Sequence, residues 1–185
     1  MTNETLYLGA NPLNTSATAV EGDYVTRDGE SFYRIANVDG MNDFFISVVS
    51  DSNHWMFIST RGGLSAGRTD CDSALFPYYT EDKIRDNSDN TGSRTIVIAD
   101  QGGKRMLWEP FSRSHTGIYR ITRNLYKNVL GDKLIFEETN HDLDLQFSYS
   151  WSTSDRFGFV KQSTIKATGN AESAVEILDG IENLL

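Results

Sequence analysis

Apolar residues take every second position in "LDLQFSYSW", residues 143–151: Leu143, Leu145, Phe147, Tyr149 and Trp151 alternate with Asp144, Gln146, Ser148 and Ser150. A period of two sends the two sets to opposite faces of a strand, so one face is buried and the other is wet. "IYRITRN" repeats the pattern, with Tyr119 and Ile121 opposite Arg120 and Thr122. "FFISVVS", "HWMFIST" and "RTIVIAD" are short runs of β-branched and aromatic residues, the composition of buried strands. Turn clusters separate these runs: "RDGES", "NVDGMND", "RGGLSAG", "NSDNTGS", "DQGGK" and "ATGNAES". "DQGGK" predicts a tight hairpin, because Gly102 and Gly103 tolerate the positive φ that such a turn demands. Many short strands joined by turns predict an all-β fold, an antiparallel β-sandwich or barrel, as a single domain over residues 1–185. The longest irregular stretch is residues 60–94, and long loops on a β scaffold often carry function.

The last segment, "AESAVEILDGIENLL", reads two ways. Val175, Leu178, Ile181 and Leu185 fall at helical spacing, but Gly180 weakens a helix through its middle. The preferred reading is a strand at 174–179 that forms a hairpin with "FGFVKQSTIKA" across "TGNAES". A short apolar stub follows at 181–185, with nothing downstream to pack on.

Charge narrows the function classes. The formal net charge of −9 argues against nucleic acid, whose phosphates would be repelled. No apolar run approaches the roughly 20 residues of a membrane-spanning helix. "MTNETLYLGANPLNTS" has neither a basic nor an apolar signal region, and the single Cys71 provides no internal disulfide, so a reducing, cytoplasmic setting is expected.

The polar motifs are less directive. His54, His115 and His141 show no metal-ligand spacing, and no cofactor is expected. They read as histidines at exposed strand ends, although His115 or His141 with Glu109 or Glu138 is formally available for acid–base chemistry. "DNSDNTG", residues 86–92, departs from a calcium loop where Thr91 replaces the turn glycine and Val97 the bidentate glutamate, so it reads as an Asx-rich turn. "STRGGLSAGR" places Arg61 and Arg68 around Gly62 and Gly63 in a flexible loop, with Tyr78 and Tyr79 shortly after. Aromatic faces and planar charged groups together suit sugars. The plainer reading, preferred on the residues alone, has the arginines decorating a loop while Tyr78 and Tyr79 straddle a strand.

The order of features resembles the N-terminal domain of the cellobiose phosphorylase group. "DFFISVVSDSNHWMFISTRGGLSAGR" runs an aromatic-rich strand pair into a Gly-Gly loop; "ALFPYYTEDKIRDN" and "SRTIVIADQGGKRMLWEPFS" follow, then "HTGIYRITRNLYKNVLGDKLIFEET" and "LDLQFSYSW". The resemblance spans residue 30 onward, in pattern and order. It implies a β-supersandwich of the galactose mutarotase-like kind, preceding a helical linker and an (α/α)₆ catalytic barrel. It also implies that the catalytic acid belongs to that barrel, that this domain supports a homodimer, and that residues 60–70 approach the substrate. On this reading residues 181–185 begin the linker, the partners are the downstream helical domain and a carbohydrate, and the chain alone is not catalytic. Arg61, Gly62, Gly63, Arg68, Tyr78 and Tyr79 are the substrate-loop candidates. A free-standing carbohydrate-binding sandwich, with a solvent-facing aromatic platform, is the alternative, and a mutarotase-like epimerase is a third.

Overall fold

The computed structural model describes residues 5–14, 18–77, 89–170 and 172–185. Alternation and turn chemistry translate into fourteen strands among them. β1 (Tyr7–Leu8) and β2 (Asn11–Pro12) pair with each other. β3 (Glu21–Arg27) and β4 (Glu30–Ala36) form a hairpin whose turn, Asp28 and Gly29, has φ of 51° and 81°. Two consecutive positive φ values match the right-handed twist of the flanking strands, which is why Asp-Gly sits there. β5 (Phe45–Val48), β6 (His54–Ser59) and β7 (Leu64–Arg68) make a three-stranded antiparallel sheet. β8 (Gly92–Gln101) and β9 (Lys104–Trp108) close on Gly102 and Gly103, with φ of 56° and 76°, the hairpin anticipated from "DQGGK". β10 (Ile121–Asn128), β11 (Lys133–Asn140), β12 (Leu145–Ser154) and β13 (Gly158–Ala167) form a meander, and β14 (Ala174–Glu182) ends the series.

The meander joins β4 and β3 in a six-stranded sheet of order β13-β12-β11-β10-β4-β3. Its buried face shares one core with the β5-β6-β7 sheet and with a third sheet, β14-β8-β9. The result is an all-β antiparallel sandwich. Leu143, Leu145, Phe147, Tyr149 and Trp151 are each at most 3 % exposed, as their alternation requires; Leu143 sits in the turn before β12, where Asp144 takes φ 52°. Trp151 and Trp108 both lie in this core.

Two expectations fail, each for a tertiary reason. Residues 64–68 form β7 inside the stretch read as irregular. "LSAGR" shows no alternation because both of its faces are packed: a Cβ on Gly67 would stand 2.6 Å from the Trp55 ring and 2.8 Å from the Ala74 backbone. Small residues are what that approach permits, and small residues leave no periodic signal.

The second correction concerns the C-terminal segment. It is a strand and not a helix, but it spans Ala174–Glu182, and its partner is β8 and not β13. The register sets Val175 against Ala99 and Ile177 against Val97, so β14 lays its apolar positions beside the buried row of β8. The chain therefore leaves the six-stranded sheet after β13 and completes the opposite layer. Lys161 of β13 bridges the two layers, its Nζ donating to Asp179 Oδ1 at 2.7 Å and to the Gly180 carbonyl at 3.2 Å. No described helix is long and apolar enough to cross a membrane.

Candidate functional site

Polar side chains converge in a groove of about 810 Å³ beside the first half of β10. One wall is the turn between β6 and β7, with Thr60 and Arg61; another is the short 3-10 helix Val38–Gly40. The loop before β10 supplies Phe111, Arg113, Tyr119 and Arg120, and β10 itself supplies Thr122, Arg123 and Asn124. Four arginines in one groove are unexpected on a chain of net charge −9.

Each of three arginines is anchored through Nε. Arg61 Nε donates to Asp43 Oδ1 at 2.6 Å, and Arg120 Nε donates to Asp142 Oδ1 at 2.6 Å. Arg123 Nε donates to Glu138 Oε2 at 2.6 Å, while its terminal nitrogens reach Asp39 at 3.2 Å and the Ser112 carbonyl at 3.1 Å. Arg123 is thus consumed by the fold. Burial works against its charge, but the Glu138 and Asp39 carboxylates outweigh that and raise its pKa. The terminal nitrogens of Arg61 and Arg120 have no partner among the described residues. Pinning Nε fixes the plane of a guanidinium and leaves its outer edge to bind.

The carboxylates that anchor the arginines also balance them. Asp43, Asp142 and Glu138 stand behind Arg61, Arg120 and Arg123, and Asp89 lies 3.7 Å from Arg113. The groove therefore has many directed donors and acceptors but little net charge. With the Phe111 and Tyr119 rings among its lining, it suits a polyhydroxylated molecule better than a polyanion. The Tyr119 hydroxyl is not free for such a ligand, since it donates to the Leu107 carbonyl at 2.7 Å; burial, then the Asp142 charge, raises its pKa.

The residues singled out from sequence are dispersed. Arg61 reaches the groove, but Arg68, at the far end of β7, lines a different cavity. Gly62 and Gly63 are buried and belong to no flexible loop. Gly62 has φ 88°, and a Cβ there would stand 2.8 Å from the Tyr149 hydroxyl. Its carbonyl also lies 2.3 Å from where a Cβ on Gly92 would be, so this turn is glycine because β8 and β12 press against it. Tyr78 and Tyr79 lie outside the described residues, as do residues 86–88 of the Asx-rich turn. Among the described residues no group of three or more His, Cys, Asp or Glu is placed to hold a metal.

No protein-family model matches this chain, and no curated protein does.

None of the three histidines lines the groove. His115 Nε2 lies 3.9 Å from Glu109 Oε2, beyond hydrogen-bond reach, while Arg94 Nη2 sits 2.5 Å from the other Glu109 oxygen. His141 Nε2 shares a hydrogen bond with Thr122 Oγ1 at 2.7 Å. Glu138 accepts from Trp108 Nε1 at 2.8 Å, the Phe111 N–H at 2.6 Å and Arg123 Nε, so it is a structural anion. His54 is not at an exposed strand end: it is buried under Phe159, because the β12–β13 turn folds over the start of β6. Sequence reasoning missed Arg113, Arg120 and Arg123, although the alternation of "IYRITRN" had already separated Arg120 from the apolar positions beside it.

Proposed function

We infer that this chain is a binding and supporting β-sandwich module of a carbohydrate-active protein, of the kind found at the N-terminus of the cellobiose phosphorylase group. The arginine groove carries this reading. It presents two anchored guanidinium edges, threonine and asparagine side chains, and aromatic rings within a volume that accommodates a disaccharide. No acid–base step is assigned to it; catalysis belongs to a helical partner domain. The exposed side chains of Leu178 and Leu185 offer apolar surface on which such a domain docks.

The test is a titration of isotopically labelled protein with cellobiose, followed by amide shifts, alongside a turnover assay with cellobiose and phosphate. Saturable shifts at Thr60, Thr122 and Asn124, abolished by Arg61→Gln with Arg120→Gln, and no turnover are expected. Phosphorolysis or epimerisation by the chain alone would reassign it as an enzyme.

One observation favours the free-standing module instead. Tyr24 and Tyr33 are exposed side by side on the β3–β4 hairpin, ring centroids 5.2 Å apart and edge to face, with Tyr33 lying across Gly22. Shifts confined to those tyrosines in the same titration would place sugar binding there.

A further inference from the structure

A second cavity, of about 350 Å³, lies between the β12–β13 turn, the start of β6 and the segment that follows β14. It shares no residue with the arginine groove. Its distinctive group is His54, only 8 % exposed. Nδ1 of that ring is 2.5 Å from Ser52 Oγ, which in turn is 2.9 Å from Ser50 Oγ. Phe159 packs against the ring at 5.1 Å, and Gly158, with φ 73°, leaves room beside Nε2 where a Cβ would stand 3.2 Å away. The orientation of the imidazole is therefore fixed from several sides. Its Nε2 has no partner among the described residues, and the ring lines the cavity. A ring nitrogen held in one orientation at a cavity wall is a pre-organised hydrogen-bonding partner for a ligand, because little freedom is lost when it binds.

The charges around the cavity favour an anion. Arg68 and Arg156 face it, with Asp155 as the acid among its lining residues. Lys161 is also present, but Asp179 and the Gly180 carbonyl already occupy its ammonium group. Among the described residues Arg68 has only a long 3.4 Å contact to Asn53 Oδ1, which leaves most of its guanidinium donors open to the cavity. The remaining walls are apolar and include Phe76, Phe159 and Leu184. Inorganic phosphate would leave those walls uncovered, and a neutral sugar would leave the Arg68 guanidinium without a counter-charge.

We propose that this cavity binds a small organic acid, an aromatic or branched aliphatic carboxylate. The carboxylate lies between Arg68 and His54 Nε2, and the apolar body packs against Phe76, Phe159 and Leu184. This site is separate from the sugar groove, and its occupancy does not depend on carbohydrate binding.

Titration with benzoate, benzyl alcohol and inorganic phosphate, read by amide and imidazole NMR shifts, tests the proposal. Benzoate is expected to give saturable shifts at His54, Gly158, Phe159 and Ile181, with Thr122 and Asn124 in the groove unmoved. Arg68→Gln, a surface change that leaves the core intact, should weaken benzoate about tenfold or more, the loss of one charge-assisted hydrogen bond. Benzyl alcohol should bind the wild-type protein more weakly by a similar factor. Equal binding of benzoate and benzyl alcohol, insensitivity to Arg68→Gln, stronger binding of phosphate than of benzoate, or no saturable shift would each overturn the proposal.

Discussion

Replacing Arg123 with methionine tests whether the floor of the groove is held by a buried ion pair. The Arg123 side chain is 11 % exposed and that of Glu138 is 2 %, so solvent screens this pair far less than a surface bridge. Methionine fills much of the same volume but removes the cation. Among the described residues Glu138 then keeps only the Trp108 indole and the Phe111 N–H as donors. Removing one partner of such a pair costs about 3–5 kcal/mol, because a buried charge is left uncompensated. The ties from Arg123 to Asp39 and to the Ser112 carbonyl go with it. A domain of ordinary stability has about 5–15 kcal/mol in all, so the variant should sit close to the edge of folding. Urea unfolding at neutral pH, followed by tryptophan fluorescence, measures the loss; Trp108 reports directly on Glu138. A second variant, Glu138→Leu with Arg123→Met, should recover part of the loss, since it removes the stranded carboxylate. A loss below about 1 kcal/mol for Arg123→Met, the size of an exposed bridge, would show that water reaches the pair and that it does not hold the floor.

Phe147→Ala should lower the unfolding free energy by about 3–5 kcal/mol, since the ring is fully buried against Phe111 and Tyr149 in the shared core; a near-neutral result would remove the core assigned to β12. Gly62→Ala should lose at least about 1 kcal/mol from its left-handed backbone alone, and more because its Cβ would meet the Tyr149 hydroxyl. Thermal unfolding unchanged by that substitution would restore the flexible-loop reading. Asp179 supplies a pH test. Burial alone would raise its pKa, but the hydrogen bonds from Lys161 and then Thr95 outweigh burial and hold it below the ordinary carboxylate value. A depressed folded-state pKa contributes stability that is complete above the unfolded value of about 4 and disappears as pH falls through the folded value. Asp179→Asn should therefore flatten the acid limb of the stability–pH curve, and identical limbs for the two proteins would exclude a role for this carboxylate.

Local chemistry determined a large part of this fold. The alternation of "LDLQFSYSW" specified β12 and its buried face, since a period of two leaves no other way to segregate five large apolar side chains. "GG" specified the β8–β9 hairpin and "DG" a turn, since few residues other than glycine, aspartate and asparagine accept the left-handed backbone of such turns. What those patterns omit is pairing across the chain. Nothing in "AVEILDG" distinguishes β13 from β8 as its neighbour, because strand pairing depends on which layer still lacks a cover. Nor do the residues of "LSAGR" announce a strand, because its small side chains answer to Trp55 and Ala74, which are distant or uninformative in sequence. The sites follow the same rule. Arg61 and Arg68 are seven residues apart, yet β7 carries them to different cavities, while Arg61 and Arg120 come from distant turns to a single groove. Residue types and turn geometry are local properties, legible one segment at a time. The groove and the second cavity exist only where layers meet, and the packing of those layers decides which charges face each other.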